Sequence, residues 1–277
     1  MTTMTASQFD FLCKIVRTDS AIVLESGKEY LVESRLAPIA RTQGLGSVGD
    51  LVQRLVSAPS AQLRAQVVDA MTTNETSFFR DVHPWQTLRE QILPDLFQAR
   101  SVTRRLNIWC AACSSGQEPF SLAMTLLEHF PEQARTWNIK IMATDLSPSM
   151  VERCKSGRFT QLEVNRGLPA ALLMRYLVKD GAEWRVTEDV RRMVETRAAN
   201  LVVPSSLPQM GGIDMVMIRN VLIYFDDPTK AAILSSIRSR MKPDSYLMLG
   251  SSEVSTGVSS DFTRCQTGKT IYFRPTA

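Results

Sequence analysis

The chain is predicted to be an α/β protein. An all-helical N-terminal domain precedes a doubly wound parallel sheet that carries a small antiparallel β insert. Three observations predict this. Residues 5–98 place apolar side chains at helical spacing throughout. From Arg105 onward, short apolar or β-branched runs alternate with helical segments, the pattern of βα units. Residues 156–200 interrupt that alternation with a turn-rich stretch. The expected division is therefore 1–98 and 99–277, with a linker inside 99–104 and the insert over about 156–198.

Taken in order, Ser7 can cap a first helix carrying Phe11, Leu12, Ile15 and Val16. A second run over 28–42 sets Leu31, Leu36, Ile39 and Ala40 on one side, and Gly44 and Gly46 break it. Helices over 47–57 and 59–72 follow, separated near Pro59. A longer one over 82–99 tolerates Pro84 near its start. Strands are expected at 106–111, 138–144, 213–218 and 245–250, with helices at 117–130, 147–155 and 228–241. In the insert, a helix over 169–178 leads into the hairpin-type turn Lys179-Asp180-Gly181. Glu183–Val186 and Met193–Ala198 are expected as short antiparallel strands. The insert would serve as a docking device, a lid or a sheet extension. Right-handed crossovers bring the parallel strand ends to one edge, where Rossmann-like folds bind ligands.

Composition excludes several classes. Hydrophobic residues make up 44% and charged residues 22%, ordinary globular values. No apolar run reaches the ~18 residues of a membrane span. The N-terminus MTTMTASQFDF lacks the basic and apolar regions of a signal peptide, so a cytoplasmic protein is expected. The five cysteines are odd in number and scattered. Cys110-x-x-Cys113 has metal or redox spacing, but there is no second such pair and only two histidines, so reduced core thiols and no metal are expected. The net charge of +4 is far from the dense basic footprint of a nucleic-acid binder. Residues 1–98 hold 9 basic and 11 acidic groups, a net of −2. Attraction of that region to an acidic partner would need a local patch, with Lys14, Arg17, Arg35, Arg41, Arg54 and Arg64 as candidates.

The most telling segment is 107–122, NIWCAACSSGQEPFSL. A buried strand stops at Cys113-Ser114-Ser115-Gly116 and a helix opens at Glu118-Pro119. A dinucleotide loop needs several glycines to press backbone against pyrophosphate. Here there is one glycine and an acid, which suits a cationic ligand without phosphate, such as S-adenosylmethionine. Other strand ends carry polar groups: Asp145 in ATDLS, Asn200-Leu201, and Asn220-Val221 and Tyr224 in RNVLIYFD. Asp145 is placed to accept from ribose hydroxyls. Each position also has a local alternative: Asp145 or Ser147 as a helix cap, and Glu118 as a complement to a helix dipole.

The block Thr72–Asp81, TTNETSFFRD, is too dense in hydroxyls, amide, aromatics and arginine for a plain loop. TTNETSFFRD, WCAACSSGQEPFSLAM, ATDLS and RNVLIYFD, in this order and spacing, resemble the chemotaxis receptor methyltransferases of the CheR family. The resemblance spans nearly the whole chain. Ser115 stands where threonine is common and Gln117 where glutamate is common.

The resemblance implies transfer of methyl from S-adenosylmethionine to glutamate side chains of chemotaxis receptors, releasing S-adenosylhomocysteine. It implies Asn74, Thr76 and Arg80 as cofactor or active-site contacts. Glu118 would face the methionine end and Asp145 the ribose, while Asn200-Leu201 and Asn220-Val221 would line the adenine and the transfer mouth. Arg80 and Tyr224 would stand nearest the chemistry. It also implies cytoplasmic receptor domains as partners, in some members through a receptor C-terminal peptide on the β insert, with no nucleic acid and no membrane insertion. Rival readings are a methyltransferase for another acidic substrate, and a non-catalytic module that senses the cofactor or its product.

Overall fold

The computed structural model describes residues 4–253 and 260–276. The chain divides into two compact units, Met1–Thr73 with Tyr224–Thr229, and Asn74–Ile223 with Lys230–Ala277.

The first unit is helical: α1 (Ala6–Ser20), α2 (Glu29–Thr42), α3 (Val48–Ser57) and α4 (Ala61–Met71). Thr5, rather than Ser7, caps α1. Its hydroxyl accepts from the Gln8 N–H, and its own N–H donates to the Gln8 side chain at 2.9 Å, a reciprocal capping box. Leu12 and Val16, Val32 and Leu36, Leu51 and Leu55, and Leu63 and Val67 are buried in pairs at four-residue spacing. Each such burial contributes roughly 1.5–3 kcal/mol. Arg35 closes the end of α4, donating to the carbonyls of Met71 (2.8 Å) and Thr72 (2.9 Å). Arg17 pairs with Asp226, and Arg64 with Asp19. Three of the six basic residues proposed as a local patch are thus already engaged.

The second unit opens with α5 (Val82–Thr87), a π-helical turn (Leu88–Ile92) and α6 (Leu93–Ala99), so the expected 82–99 helix is present with a widened middle. Then follow β1 (Arg105–Ala111), α7 (Gln117–His129), α8 (Pro131–Thr136), β2 (Asn138–Asp145) and α9 (Pro148–Ser156). The insert contributes β3 (Arg158–Phe159), α10 (Gln161–Asn165), α11 (Ala170–Tyr176), β4 (Leu177–Asp180), β5 (Glu183–Val186) and α12 (Glu188–Arg191). Next come β6 (Val194–Ala198), β7 (Ile213–Ile218), α13 (Asp227–Arg238), β8 (Met241–Leu249), β9 (Phe262–Thr267) and β10 (Thr270–Pro275).

The main sheet has the order β6-β2-β1-β7-β8-β10-β9. The first five strands are parallel, and the last two are antiparallel additions. β7 is buried at every position, as a central parallel strand covered on both faces must be. Its one charged residue, Asp214, is fully buried. Its carboxylate accepts from the Asn107 N–H (2.7 Å), Arg100 Nε (2.6 Å) and Lys242 Nζ (2.8 Å), which ties α6, β1 and β8 to the sheet.

Three features differ from expectation. Val194–Ala198 does not join the antiparallel insert. It runs parallel to β2, from Ile141 opposite Val194 to Asp145 opposite Ala198, because Val190 and Met193 anchor its entry in the sheet core. The small sheet is instead β3-β5-β4, with Phe159 opposite Trp184. Residues 74–98 belong to the second unit rather than the first, since Phe78, Trp85, Leu88, Ile92, Leu93, Leu96 and Phe97 all enter its core. The β9–β10 hairpin, turning at Gly268, is an element the sequence patterning did not yield.

Candidate active site

Parallel strands β6, β2, β1, β7 and β8 end at one edge, and the backbone there is strained. Phe79, Asp81, Ala112, Ser114 and Asn220 all have left-handed conformations, with φ of 47–60°. Non-glycine residues pay about 1–2 kcal/mol each for this. Such strain persists only where surrounding contacts over-determine it, and it clusters at functional sites. Gly116 caps α7 at φ 101°, and a Cβ there would lie 2.6 Å from the Cys154 sulfur. The single glycine of the loop is therefore fixed by both conformation and space.

Asp145, at the end of β2, holds the β1 turn in place. One carboxylate oxygen accepts the Ser114 N–H at 2.7 Å and the other the Ser147 N–H at 2.9 Å. Ser147 in turn caps α9 through its hydroxyl. The capping alternative thus falls to Ser147, and Asp145 spans two loops. The Ser114 hydroxyl donates to the Asn74 carbonyl at 2.9 Å, which fastens the start of the NETSFFRD segment to the same turn.

Arg219, one residue past β7, is the hub of the other side. Its side chain is 1% exposed. It donates to Glu118 (2.8 Å), to Asp81 (2.9 Å) and to the Arg80 carbonyl (3.0 Å). Burial raises the Glu118 pKa above the usual carboxylate range, Arg219 opposes that rise, and the nearby charge of Glu253 adds to it. The Phe79 N–H donates to the Ser121 hydroxyl at 3.0 Å, and Trp85 Nε1 donates to the Arg80 carbonyl at 3.0 Å. The peptide bearing Arg80 is therefore clamped from α7, from α5 and from the end of β7. The Arg80 guanidinium donates to the Glu75 carbonyl at 3.1 Å.

Glu253, just past β8, is 1% exposed. Its carboxylate accepts four backbone N–H groups, those of Asn220, Val221, Leu222 and Gly250, each at 2.7 Å.

The structure brings together Asn74, Arg80, Glu118, Asp145, Asn220 and Val221 from the sequence-selected set, through the contacts just given. Thr76 is half-buried in the segment between Asn74 and Arg80. Asn200 and Leu201 follow β6. The Asn200 side-chain oxygen accepts the Val202 N–H at 3.2 Å, the Ser206 hydroxyl accepts the Asn200 N–H at 3.0 Å, and Leu201 is buried. Tyr224 falls in the helical unit, where its carbonyl accepts the Val23 N–H at 3.0 Å. Sequence reasoning missed Arg219, Asp81 and Glu253 as site residues. Arg219 and Asp81 lay inside quoted motifs. Glu253 obeys the strand-end rule that picked Asp145, applied one strand further.

The charges suit a cationic ligand. Among these site residues the acids Glu118, Asp81, Asp145 and Glu253 outnumber the bases Arg80 and Arg219, and the first turn of α7 carries an acid where a phosphate site needs open N–H groups. A sulfonium and an ammonium fit such a donor set. Among the described residues, no group of three or more His, Cys, Asp or Glu is arranged to hold a metal ion, and no helix is long and apolar enough to cross a membrane.

Comparison with known proteins agrees with this reading. Residues 7–72 match the family model described as CheR methyltransferase, all-alpha domain, and residues 74–271 match CheR methyltransferase, SAM binding domain. Chemotaxis protein methyltransferase Cher2 of Pseudomonas putida is 42% identical over 258 residues, 91% of this chain and 92% of that protein. Chemotaxis protein methyltransferase 1 of Pseudomonas aeruginosa is 42% identical over 97% of both chains. Chemotaxis protein methyltransferase 1 of Vibrio cholerae is 39% identical, covering 97% and 98%.

Proposed function

The chain belongs to the CheR methyltransferase family, and from that premise we propose that it esterifies glutamate side chains on chemotaxis receptors. The observation that carries the reading is the clamped Arg80. Three hydrogen bonds hold its peptide and neighbours, so a cationic side chain is presented from a fixed backbone beside an acid-lined cofactor site.

S-adenosylmethionine supplies an already activated methyl group. An acceptor glutamate, with a pKa of ~4.3, is ionised at neutral pH and needs no general base. This matches a selected site that contains neither of the two histidines, His83 and His129. What the chain must supply is geometry. Holding reactants in line is worth up to ~7–11 kcal/mol in well-oriented systems. In this reading Glu118 takes the amino end of the cofactor and Asp145 the ribose. Asn74, Thr76, Asn200-Leu201 and Asn220-Val221 contribute the remaining contacts. Arg80 orients the acceptor carboxylate by a charge-assisted pair, weak enough not to trap the ground state. The family resemblance assigns the Tyr224 hydroxyl a part in the transfer step, which substitution tests.

For the partner, the insert offers strand addition at β4, an edge of the three-stranded sheet where Val178 is 44% exposed. A receptor C-terminal peptide docked there would raise local substrate concentration.

Incubation with radiolabelled S-adenosylmethionine and receptor cytoplasmic fragments tests the function. Label released as methanol by mild base marks a carboxyl ester. Base-stable label, or binding of the cofactor with no transfer, overturns the reading. Titration with receptor tail peptides, with and without the insert's edge strand altered, tests the docking.

A further inference from the structure

The acid that closes the site from the β8 side has no role in the reading above. Glu253 presents a buried carboxylate to four converging N–H groups, three of them consecutive at Asn220, Val221 and Leu222. Hydrogen bonds to a charged acceptor contribute about 1.5–3 kcal/mol each. Together they can hold Asn220 at φ 58°, a conformation an unsupported turn would leave. Gly250 makes the room: a Cβ at that position would lie 2.6 Å from a Glu253 oxygen and 2.8 Å from the Asn220 side chain. The turn so held runs from Arg219, which fixes Glu118 and the Arg80 peptide, to Val221.

We propose that Glu253 is a positioning residue for methyl transfer, acting through the Arg219–Leu222 turn. The assignment rests on the functional reading above. The charge of Glu253 also adds to the rise of the Glu118 pKa. Loosening the turn would let both the Asn220–Val221 wall and the Arg219 hub drift. Misplacement by about 1 Å can cost ~100-fold in rate, whereas affinity for a product is spread over many contacts and falls less.

Asp214 supplies the control. It is an equally buried carboxylate at the opposite end of β7, bonded to Arg100, Lys242 and the Asn107 N–H. Three variants, Glu253→Gln, Glu253→Asp and Asp214→Asn, are compared at a temperature where all are folded by circular dichroism. Turnover on receptor fragments, affinity for S-adenosylhomocysteine, and hydrogen exchange of the 219–223 peptide are measured. Glu253→Gln should lose at least about 30-fold in kcat with affinity changed less than about fivefold, and its 219–223 amides should exchange faster by tenfold or more. Glu253→Asp, which keeps the charge, should recover part of the turnover and protection. Asp214→Asn should lower the unfolding midpoint while kcat stays within about twofold. Unchanged exchange and kcat in Glu253→Gln, or kcat falling equally in Asp214→Asn, overturns the proposal. If Glu253→Gln does not fold, Glu253→Asp against Asp214→Asn decides by the same split. Failure of the functional reading is seen separately, as absence of transfer by the unaltered chain. The exchange arm, with and without S-adenosylhomocysteine, then still decides whether Glu253 orders a cofactor-facing turn.

Discussion

Glu118 and Arg219 pair at 2.8 Å, joining the first turn of α7 to the residue after β7. Removing one partner of such a pair leaves an uncompensated buried charge, while the intact pair adds little stability by itself. Its value is positional. Arg219 keeps two further bonds, to Asp81 and the Arg80 carbonyl, so Glu118 is held where a ligand cation would share it.

Cofactor binding should therefore depend on pH through Glu118. Its pKa is raised, mainly by burial, and a cationic ligand needs it ionised. Affinity should weaken as pH falls through a range above that of an ordinary glutamate. The unliganded protein has the opposite dependence: its folded state holds this proton more tightly than the unfolded chain does, so this group costs stability as pH rises through the same range. Glu118→Gln, which can still accept from Arg219, should lose about 10- to 100-fold in S-adenosylhomocysteine affinity, a charged hydrogen bond of ~1.5–3 kcal/mol. It should also flatten the acid limb. Calorimetric titrations between pH 5 and 8 check both; a limb that persists in the variant assigns the titration elsewhere.

Asp145→Asn should damage both fold and binding. The carboxylate accepts two N–H groups from different loops, and an amide can accept only one of them while turning a donor toward the other. The buried mismatch costs about 1–3 kcal/mol. The unfolding midpoint in urea should drop accordingly at unchanged m-value. Affinity for S-adenosylhomocysteine should fall further than Asp214→Asn lowers it, since Asp214 lies at the other end of the sheet.

The parallel strands, the α7 turn and the strand-end polar groups were legible because burial and turn chemistry leave local patterns. β7 reads as a strand from IDMVMI alone, and Gly116 marks the turn between β1 and α7 unaided. The misplaced features are those decided by distant contacts. Val194–Ala198 has the composition of any short strand, and only its pairing with β2 assigns it to the large sheet. Phe78 stands in the polar block and Trp85 in the expected 82–99 helix, and only their packing, Phe78 on Phe159 and Trp85 on Phe79 within the core of the second unit, assigns them there. Glu253 follows the strand-end rule at β8, but its role in holding the Asn220–Leu222 turn through backbone N–H groups shows only in three dimensions.

Gly167 should prove unexpectedly intolerant. Its φ is +87°, and a Cβ would collide with the Phe78 carbonyl oxygen, where the chain runs close enough for the Phe78 N–H to bond the Arg166 carbonyl at 3.2 Å. Gly181, in the β4–β5 turn at φ +65°, faces open space. Gly181→Ala should cost only the left-handed penalty, about 1–2 kcal/mol. Gly167→Ala adds a backbone clash, about 1–3 kcal/mol more, and should shift the NETSFFRD segment with it. Paired denaturation curves test the difference, and equal losses would mean that the Phe78 contact yields easily.

The final expectation concerns the two residues assigned nearest the chemistry. The Arg80 peptide is anchored independently of its side chain, since Trp85 and Arg219 both bond its carbonyl while the guanidinium donates to the Glu75 carbonyl. Truncating the side chain in Arg80→Ala therefore leaves that scaffold in place and removes only what the guanidinium does. If it aligns an acceptor carboxylate, kcat should fall by about 10- to 100-fold, the loss of one charge-assisted pair, while S-adenosylhomocysteine affinity changes by less than about threefold. Arg80→Lys should recover little, because a point charge does not reproduce the planar fork. Tyr224→Phe keeps the ring and the backbone bond to Val23, so any fall in turnover reports the hydroxyl alone. Single-turnover rates with saturating receptor fragment separate these effects from binding. A loss confined to cofactor affinity in both variants would move Arg80 and Tyr224 out of the transfer step and into the cofactor pocket.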